Sequence, residues 1–194
     1  MPHSPRDRLI SSAIDLVRTY GVDATGVSEL LEHSSTARRS IYQNFPDGKA
    51  ELIAESTTAA GSWISSRLRH AADHTADPAA LVRTVIDQVI RSVRADDYHK
   101  GCPIAAAATA SPASAPVHEA AARVFETLTD ELAAVLERDG RTAADARSLA
   151  GFILSTVEGA LMRARCARST EPLDQARAQL DTLIAATASP GATQ

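Results

Sequence analysis

Apolar residues recur along this chain at intervals of three and four, and the runs with that period are separated by short stretches of Gly, Pro, Ser, Thr and Asp. A first helix is predicted from Pro5 to Tyr20, with Leu9, Ala13, Leu16, Val17 and Tyr20 as its stripe. Ser4 and Asp7 stand at capping-box spacing, Pro5 suits the first turn, and Gly21 ends the pattern. Thr25 is predicted to cap a short second helix whose apolar side is Leu30 and Leu31. The polar run His33-Ser34-Ser35-Thr36 interrupts it, and a third short helix follows with only Ile41 and Phe45 at buried spacing.

Longer elements come next. Asp47 is predicted to cap a helix from about Gly48 to His74, with Leu52, Ile53, Trp63, Ile64 and Leu68 among its apolar residues. Asp77-Pro78 opens a core helix carrying Leu81, Val82, Val85, Ile86, Val89, Ile90 and Val93. Gly101-Cys102-Pro103 starts a short Ala-rich segment whose small side chains would leave space beside a cavity. Two long helices follow, one from Val117 to Asp139 and one opened by a Thr142/Asp145 capping box; both read as apolar over more than one face. The second carries Leu149, Phe152, Ile153, Thr156, Val157, Ala160 and Leu161, with Gly151, Ser155 and Gly159 four apart along another strip that would let a further helix approach closely. A last helix through Leu173, Ala176, Leu180, Leu183 and Ile184 leads to a tail, residues 189–194, of disordered composition.

Composition agrees with an all-α chain: alanine is abundant and only 4% of residues are aromatic, whereas strands would call for more β-branched and aromatic side chains. With 194 residues, 44% of them hydrophobic, a small domain plus a larger one is expected. The formal net charge of −4 excludes a polybasic binder. Over residues 1–53 the cations Arg6, Arg8, Arg18, Arg38, Arg39 and Lys49 are slightly outnumbered by acids, so any affinity for nucleic acid must come from local clustering. Cys102 and Cys166 make no disulfide framework, and neither an apolar signal core nor a membrane-length run is present, which points to a soluble cytoplasmic protein with no membrane partner.

Arg38, Arg39 and Lys49 supply that clustering, the two arginines within residues 26–45, which read as a helix-turn-helix. Its second helix sets Arg38, Arg39, Ser40, Tyr42, Gln43 and Asn44 around two buried positions, a density of phosphate and base-edge donors suited to a major groove. Arg6 and Arg8 are further candidates for phosphates. No phosphate-cradling glycine loop, metal-ligand cluster or nucleophile elbow is present, so no enzyme and no cofactor is expected. Cys102 reads as a packing residue, with a redox-sensing thiol as the alternative. His70 and His74 have the i, i+4 spacing of a shared metal, but a solvated helix end is the simpler reading, and no metal is assigned.

Thr25, then Leu30-Leu31, then Ser40-Ile41-Tyr42-Gln43-Asn44-Phe45-Pro46-Asp47-Gly48-Lys49 resembles the TetR family of bacterial transcriptional regulators. Gly101-Cys102-Pro103-Ile104-Ala105 resembles its multidrug/flavonoid-responsive (LmrA/YxaF-like) subgroup. The resemblance implies a DNA-binding domain over residues 1–50 and a helical ligand-binding and dimerisation domain over residues 51–194. It implies that Thr25, Tyr42 and Lys49 approach the DNA backbone, with Ser35, Thr36, Arg38, Arg39, Ser40, Gln43 and Asn44 available for base edges or flanking phosphates. It further implies a homodimer joined through the two long helices, bound to double-stranded operator DNA and released by a hydrophobic small-molecule effector. Two departures stand out: Ser34-Ser35-Thr36-Ala37 replaces the usual Ala-Gly-Val-Ser, and Arg39 replaces a glycine. By position and type, Trp63, Tyr98, Cys102, Thr109, Phe125, Phe152, Glu158 and Met162 are the candidates for an effector pocket. The competing class is a helical ligand-binding or adaptor protein without useful DNA affinity.

Overall fold

A computed structural model of the chain describes residues 4–187, and among them nine helices and no strand. They are α1 (Pro5–Tyr20), α2 (Val27–Ser34), α3 (Arg38–Asn44), α4 (Lys49–Ala72), α5 (Pro78–Ala95), α6 (Pro103–Ala108), α7 (Ala115–Arg138), α8 (Ala143–Ala167) and α9 (Glu171–Ala186). The tail at residues 189–194 lies outside the described residues. No described helix is long and apolar enough to cross a membrane. The chain forms two compact units, residues 1–63 with 101–125 and residues 64–100 with 126–194, and the divisions fall inside α4 and α7.

In the first unit α1 packs on α2, α3 and α6. Its start is fixed as the spacing predicts: the Asp7 N–H donates to Ser4 Oγ at 3.1 Å and the Ser4 N–H to the Asp7 carboxylate at 3.2 Å, so two orphan donors are satisfied reciprocally. Leu9, Val17, Leu30, Ile41, Phe45, Leu52, Ile53, Ile104 and Val117 make the core. Tyr20 is not part of the stripe; it is 64% exposed on the last turn of α1. The short α6 buries Ile104 and Ala107, its small side chains letting it lie directly against α1. Gly61 of α4 has the same use, since a Cβ there would stand 2.4 Å from Val124 of α7. Gly61→Ala is therefore expected to lower stability by about 1–3 kcal/mol. An unchanged urea midpoint would show that Val124 yields without cost.

Two expected caps are replaced. Thr25 is not the N-cap of α2; Gly26 is, and its N–H donates to Glu29 Oε2 at 2.6 Å. Thr25 Oγ1 instead donates back to the Gly21 carbonyl at 2.7 Å, and the residue is fully buried. At the start of α4 the bond runs from the Asp47 N–H to Glu51 Oε2 at 2.8 Å, rather than from the helix to an Asp47 cap.

In the second unit α9 packs on α5 and α8 around Leu81, Ile86, Val93, Leu136, Ile153, Leu173, Leu180 and Ile184. Asp77 caps α5 by accepting from the Ala79 N–H at 2.9 Å, and Thr142 caps α8 by accepting from the Asp145 N–H at 3.2 Å. Arg147 reaches from α8 to Asp130 and Glu126 of α7, and the Asp130 hydrogen bond, then that of Glu126, raise its guanidinium pKa above the ordinary value. α8 buries Ala146, Ala150, Ile153, Val157, Ala160 and Ala164, while Phe152, Ser155, Met162 and Cys166 face outward. A Cβ on Gly151 or Gly159 would meet only open space, so this strip is uncovered in a single chain. The exposed side of α7 carries Arg123, Glu126, Asp130 and Glu137, with Ala122 and Ala134 exposed beside them.

Candidate nucleic-acid interface

The turn between α2 and α3 is a Schellman arrangement. The Thr36 N–H donates to the Leu31 carbonyl and the Ser35 N–H to that of Glu32, both at 3.1 Å, and Ser35 takes the left-handed conformation at φ 51°. A serine there costs on the order of 1 kcal/mol relative to glycine. Ser34 Oγ and Thr36 Oγ1 share a 2.7 Å hydrogen bond across the same turn, which fixes the path of the chain into α3.

α3 has only seven residues and could not hold its shape alone. Ile41 and Phe45, both essentially without exposure, fasten it to the core. With these two inside, Arg38, Arg39, Tyr42 and Gln43 are turned to solvent, and Tyr42 is 54% exposed. Ser35 is exposed as well; Thr36, Ser40 and Asn44 are half-buried, and Asn44 Nδ2 donates to the Ser40 carbonyl at 2.8 Å. Gly48, at φ 74°, makes the corner into α4, and a Cβ added there would lie 3.6 Å from the Tyr42 ring. Lys49 Nζ donates to the Val22 carbonyl at 3.0 Å, which aims the ammonium and leaves two of its protons for another acceptor.

The six cations of this region divide by environment. Arg6 pairs with Glu55 and lies 5.4 Å from the centre of the Phe45 ring, Arg8 Nε donates to the Ser34 carbonyl at 3.2 Å, and Arg18 Nε donates to the Gly101 carbonyl at 2.9 Å. These three brace the unit. Arg38 and Arg39 make no ion pair among the described residues. The uncommitted positive charge thus gathers on α3 beside Lys49, although acids outnumber cations locally. Thr25 is the exception among the expected contacts, because its single hydroxyl proton is already given to Gly21. The bracing arginines were not foreseeable: Arg6 and Glu55 are 49 positions apart, and no local spacing marks them.

The eight effector-pocket candidates are shared between the two units. Trp63, Cys102, Thr109 and Phe125 belong to the first unit, and Tyr98, Phe152, Glu158 and Met162 to the second. Trp63, Phe152 and Met162 are exposed on outward helix faces, and Thr109 is exposed just past the end of α6, its hydroxyl donating to the Ala105 carbonyl at 2.9 Å. A groove of about 510 Å³ in the second unit is lined by Phe152 alone of these, together with Arg141, Thr142, Asp145, Ser148, Leu149, Leu183 and Thr187. The rings of His70 and His74 lie 4.4 Å apart on an exposed helix end, and His74 Nδ1 is 2.7 Å from the His70 carbonyl.

Comparison with known proteins matches residues 9–55 to the bacterial regulatory proteins of the tetR family. Residues 78–179 match the transcriptional regulator LmrA/YxaF-like C-terminal domain. An uncharacterized HTH-type transcriptional regulator of Mycobacterium tuberculosis is 34% identical over 188 residues, covering 94% of this chain and 95% of the relative. The regulator YxaF of Bacillus subtilis is 25% identical over 180 residues, 92% of this chain and 94% of its own. The crystal structure of a TetR transcriptional regulator from Legionella pneumophila shares the fold with a TM-score of 0.82 at 23% identity, over 94% of this chain and 99% of that one. With a helix-turn-helix presenting its basic face and matches over both halves, the chain belongs to the TetR family of transcriptional regulators, DNA-binding proteins that are not enzymes.

Proposed function

We propose that the protein is a ligand-responsive repressor that binds a palindromic operator as a homodimer in the cytoplasm. The observation that carries the reading is the exposed Arg38, Arg39, Tyr42 and Gln43 face held on buried Ile41 and Phe45. In this reading residues 1–50 are the DNA-reading part and residues 51–194 sense the effector and dimerise. Arg38, Arg39 and Gln43 read base edges or flanking phosphates, with Ser35, Thr36, Ser40 and Asn44 beside them, and Tyr42 and Lys49 clamp the backbone. The uncovered strip of α8 with Phe152 and Met162 supports a helix-to-helix dimer, whose two-fold axis places two α3 helices in successive major grooves. A small apolar or aromatic effector favours a spacing of those helices that no longer matches the operator. A hundredfold loss of operator affinity needs only about 2.7 kcal/mol of coupling.

Selection of bound fragments from the source genome by the purified protein tests this. A palindromic consensus occupied by an even number of chains is the expected outcome. Tyr42→Ala and Lys49→Ala are each expected to weaken selected and random duplexes alike, by about tenfold, because a phosphate contact carries no sequence information. A variant that changed sequence preference while leaving random DNA untouched would assign its residue to a base edge instead.

A further inference from the structure

Residues 101–125 share a compact unit with residues 1–63, and polar contacts fasten both ends of α6 there. Ahead of the helix, Arg18 and Gly101 hold each other twice: the Gly101 N–H donates to the Arg18 carbonyl, and Arg18 Nε donates to the Gly101 carbonyl, each at 2.9 Å. Beyond it, the Ser111 N–H donates to the Asp23 carboxylate at 3.0 and 3.3 Å. Two anchors, one beyond each end of a short segment, restrain its rotation as well as its position. With six residues α6 has little stability of its own, so its placement depends on these bonds and on Ile104 and Ala107 beneath it.

The loop that receives the clamp also carries the helix-turn-helix. The Val22 carbonyl accepts from Lys49 Nζ at 3.0 Å and from the Thr25 N–H at 3.3 Å, and Thr25 Oγ1 donates to the Gly21 carbonyl at 2.7 Å. Asp23 follows Val22 directly. Whatever displaces residues 101–111 therefore pulls on the loop that aims Lys49 and leads into α2.

We propose that Arg18 and Asp23 are positioning residues for DNA binding, which clamp both ends of α6 and thereby hold the 21–25 loop, with Lys49, in the geometry that receives the phosphate backbone. This rests on the DNA-binding reading above. Charge gives the proposal a distinctive sign. Asp23 is an acid in a domain that meets phosphates, so its removal would by charge alone tighten binding, whereas loss of the clamp loosens it.

The experiment uses the full-length protein with a genomic fragment it selects, read by fluorescence anisotropy over a salt series. Asp23→Ala is expected to bind about 5–10-fold more weakly with the salt slope unchanged, while Asp23→Asn, which keeps an acceptor oxygen, stays within about twofold of the unaltered chain. Amide exchange without DNA is the second readout. Asp23→Ala, and independently Arg18→Met, should speed exchange through residues 21–25 and α3, with Asp23→Asn unaffected. Asp23→Ala binding as tightly as the unaltered chain, or faster exchange confined to Ser111, overturns the proposal. If the unaltered protein selects no DNA, the DNA-binding reading fails on its own account, and the spread of exchange still decides whether the clamp positions the loop.

Discussion

Phe45→Ala is expected to destabilise the first unit by about 3–5 kcal/mol. Phe45 is fully buried at the end of α3, and its ring is covered on one side by the Arg6 guanidinium 5.4 Å away. Truncation removes the ring's transfer energy, leaves a cavity under a helix too short to rearrange around it, and takes away a cation–π contact of about 0.5–1 kcal/mol. Arg6 also pairs with Glu55, so the loss loosens a brace between the starts of α1 and α4 as well as α3 itself. Urea denaturation followed by circular dichroism measures the effect, and DNA binding should be lost along with it. A loss of less than about 1 kcal/mol would mean that α3 is held by something other than its two buried side chains.

Arg141→Ala is expected to cost about 2–4 kcal/mol in the second unit. Its guanidinium is almost entirely buried; it pairs with Asp139 and donates from Nη2 to the Ile184 carbonyl at 2.6 Å and to Thr187 Oγ1 at 3.3 Å. The Ile184 carbonyl lies in the last turn of α9, where unsatisfied acceptors and the negative end of the helix dipole gather. One side chain thus closes the α7–α8 corner and caps α9. Nε is buried with no hydrogen-bond partner among the described residues, which keeps the expected cost at the lower end for a buried ion pair. Arg141→Lys should recover little, since a single ammonium cannot reproduce the fork that reaches Asp139 and Ile184 together. Arg141→Met as stable as the unaltered chain would show that packing, not the fork, holds this corner.

What the sequence made legible follows the range of the physics. The Ser4/Asp7 cap, the proline at the start of α5 and the 3.6 period of Leu81 to Val93 are local, and each appears where its spacing predicts. Ile41 and Phe45 are legible for the same reason, and because they are buried, the outward side of α3 follows from helix geometry alone. Thr25 and Asp47 failed as caps because a hydroxyl or a carboxylate has several backbone partners within reach. Thr25 finds the carbonyl four residues behind it, and at Asp47 it is Glu51 that reaches back. Phe152 has the period of a core helix, but period says that a face is apolar, not which chain covers it. The pairings of Arg6 with Glu55, Arg18 with Gly101 and Asp23 with Ser111 join residues 49 to 88 positions apart, and no one-dimensional pattern carries them.

In the proposed function the basic face of α3 binds the DNA backbone and grooves as a matched pair in a dimer. The most direct test is the affinity of the purified protein for a selected palindromic fragment over a series from about 50 to 200 mM salt. Two protomers that together neutralise roughly six phosphates predict a slope near −5 in log affinity against log salt, a loss of about a thousandfold over that range, and a shallower slope for Lys49→Ala. A slope near zero, or equal affinity at both ends of the series, would contradict the account.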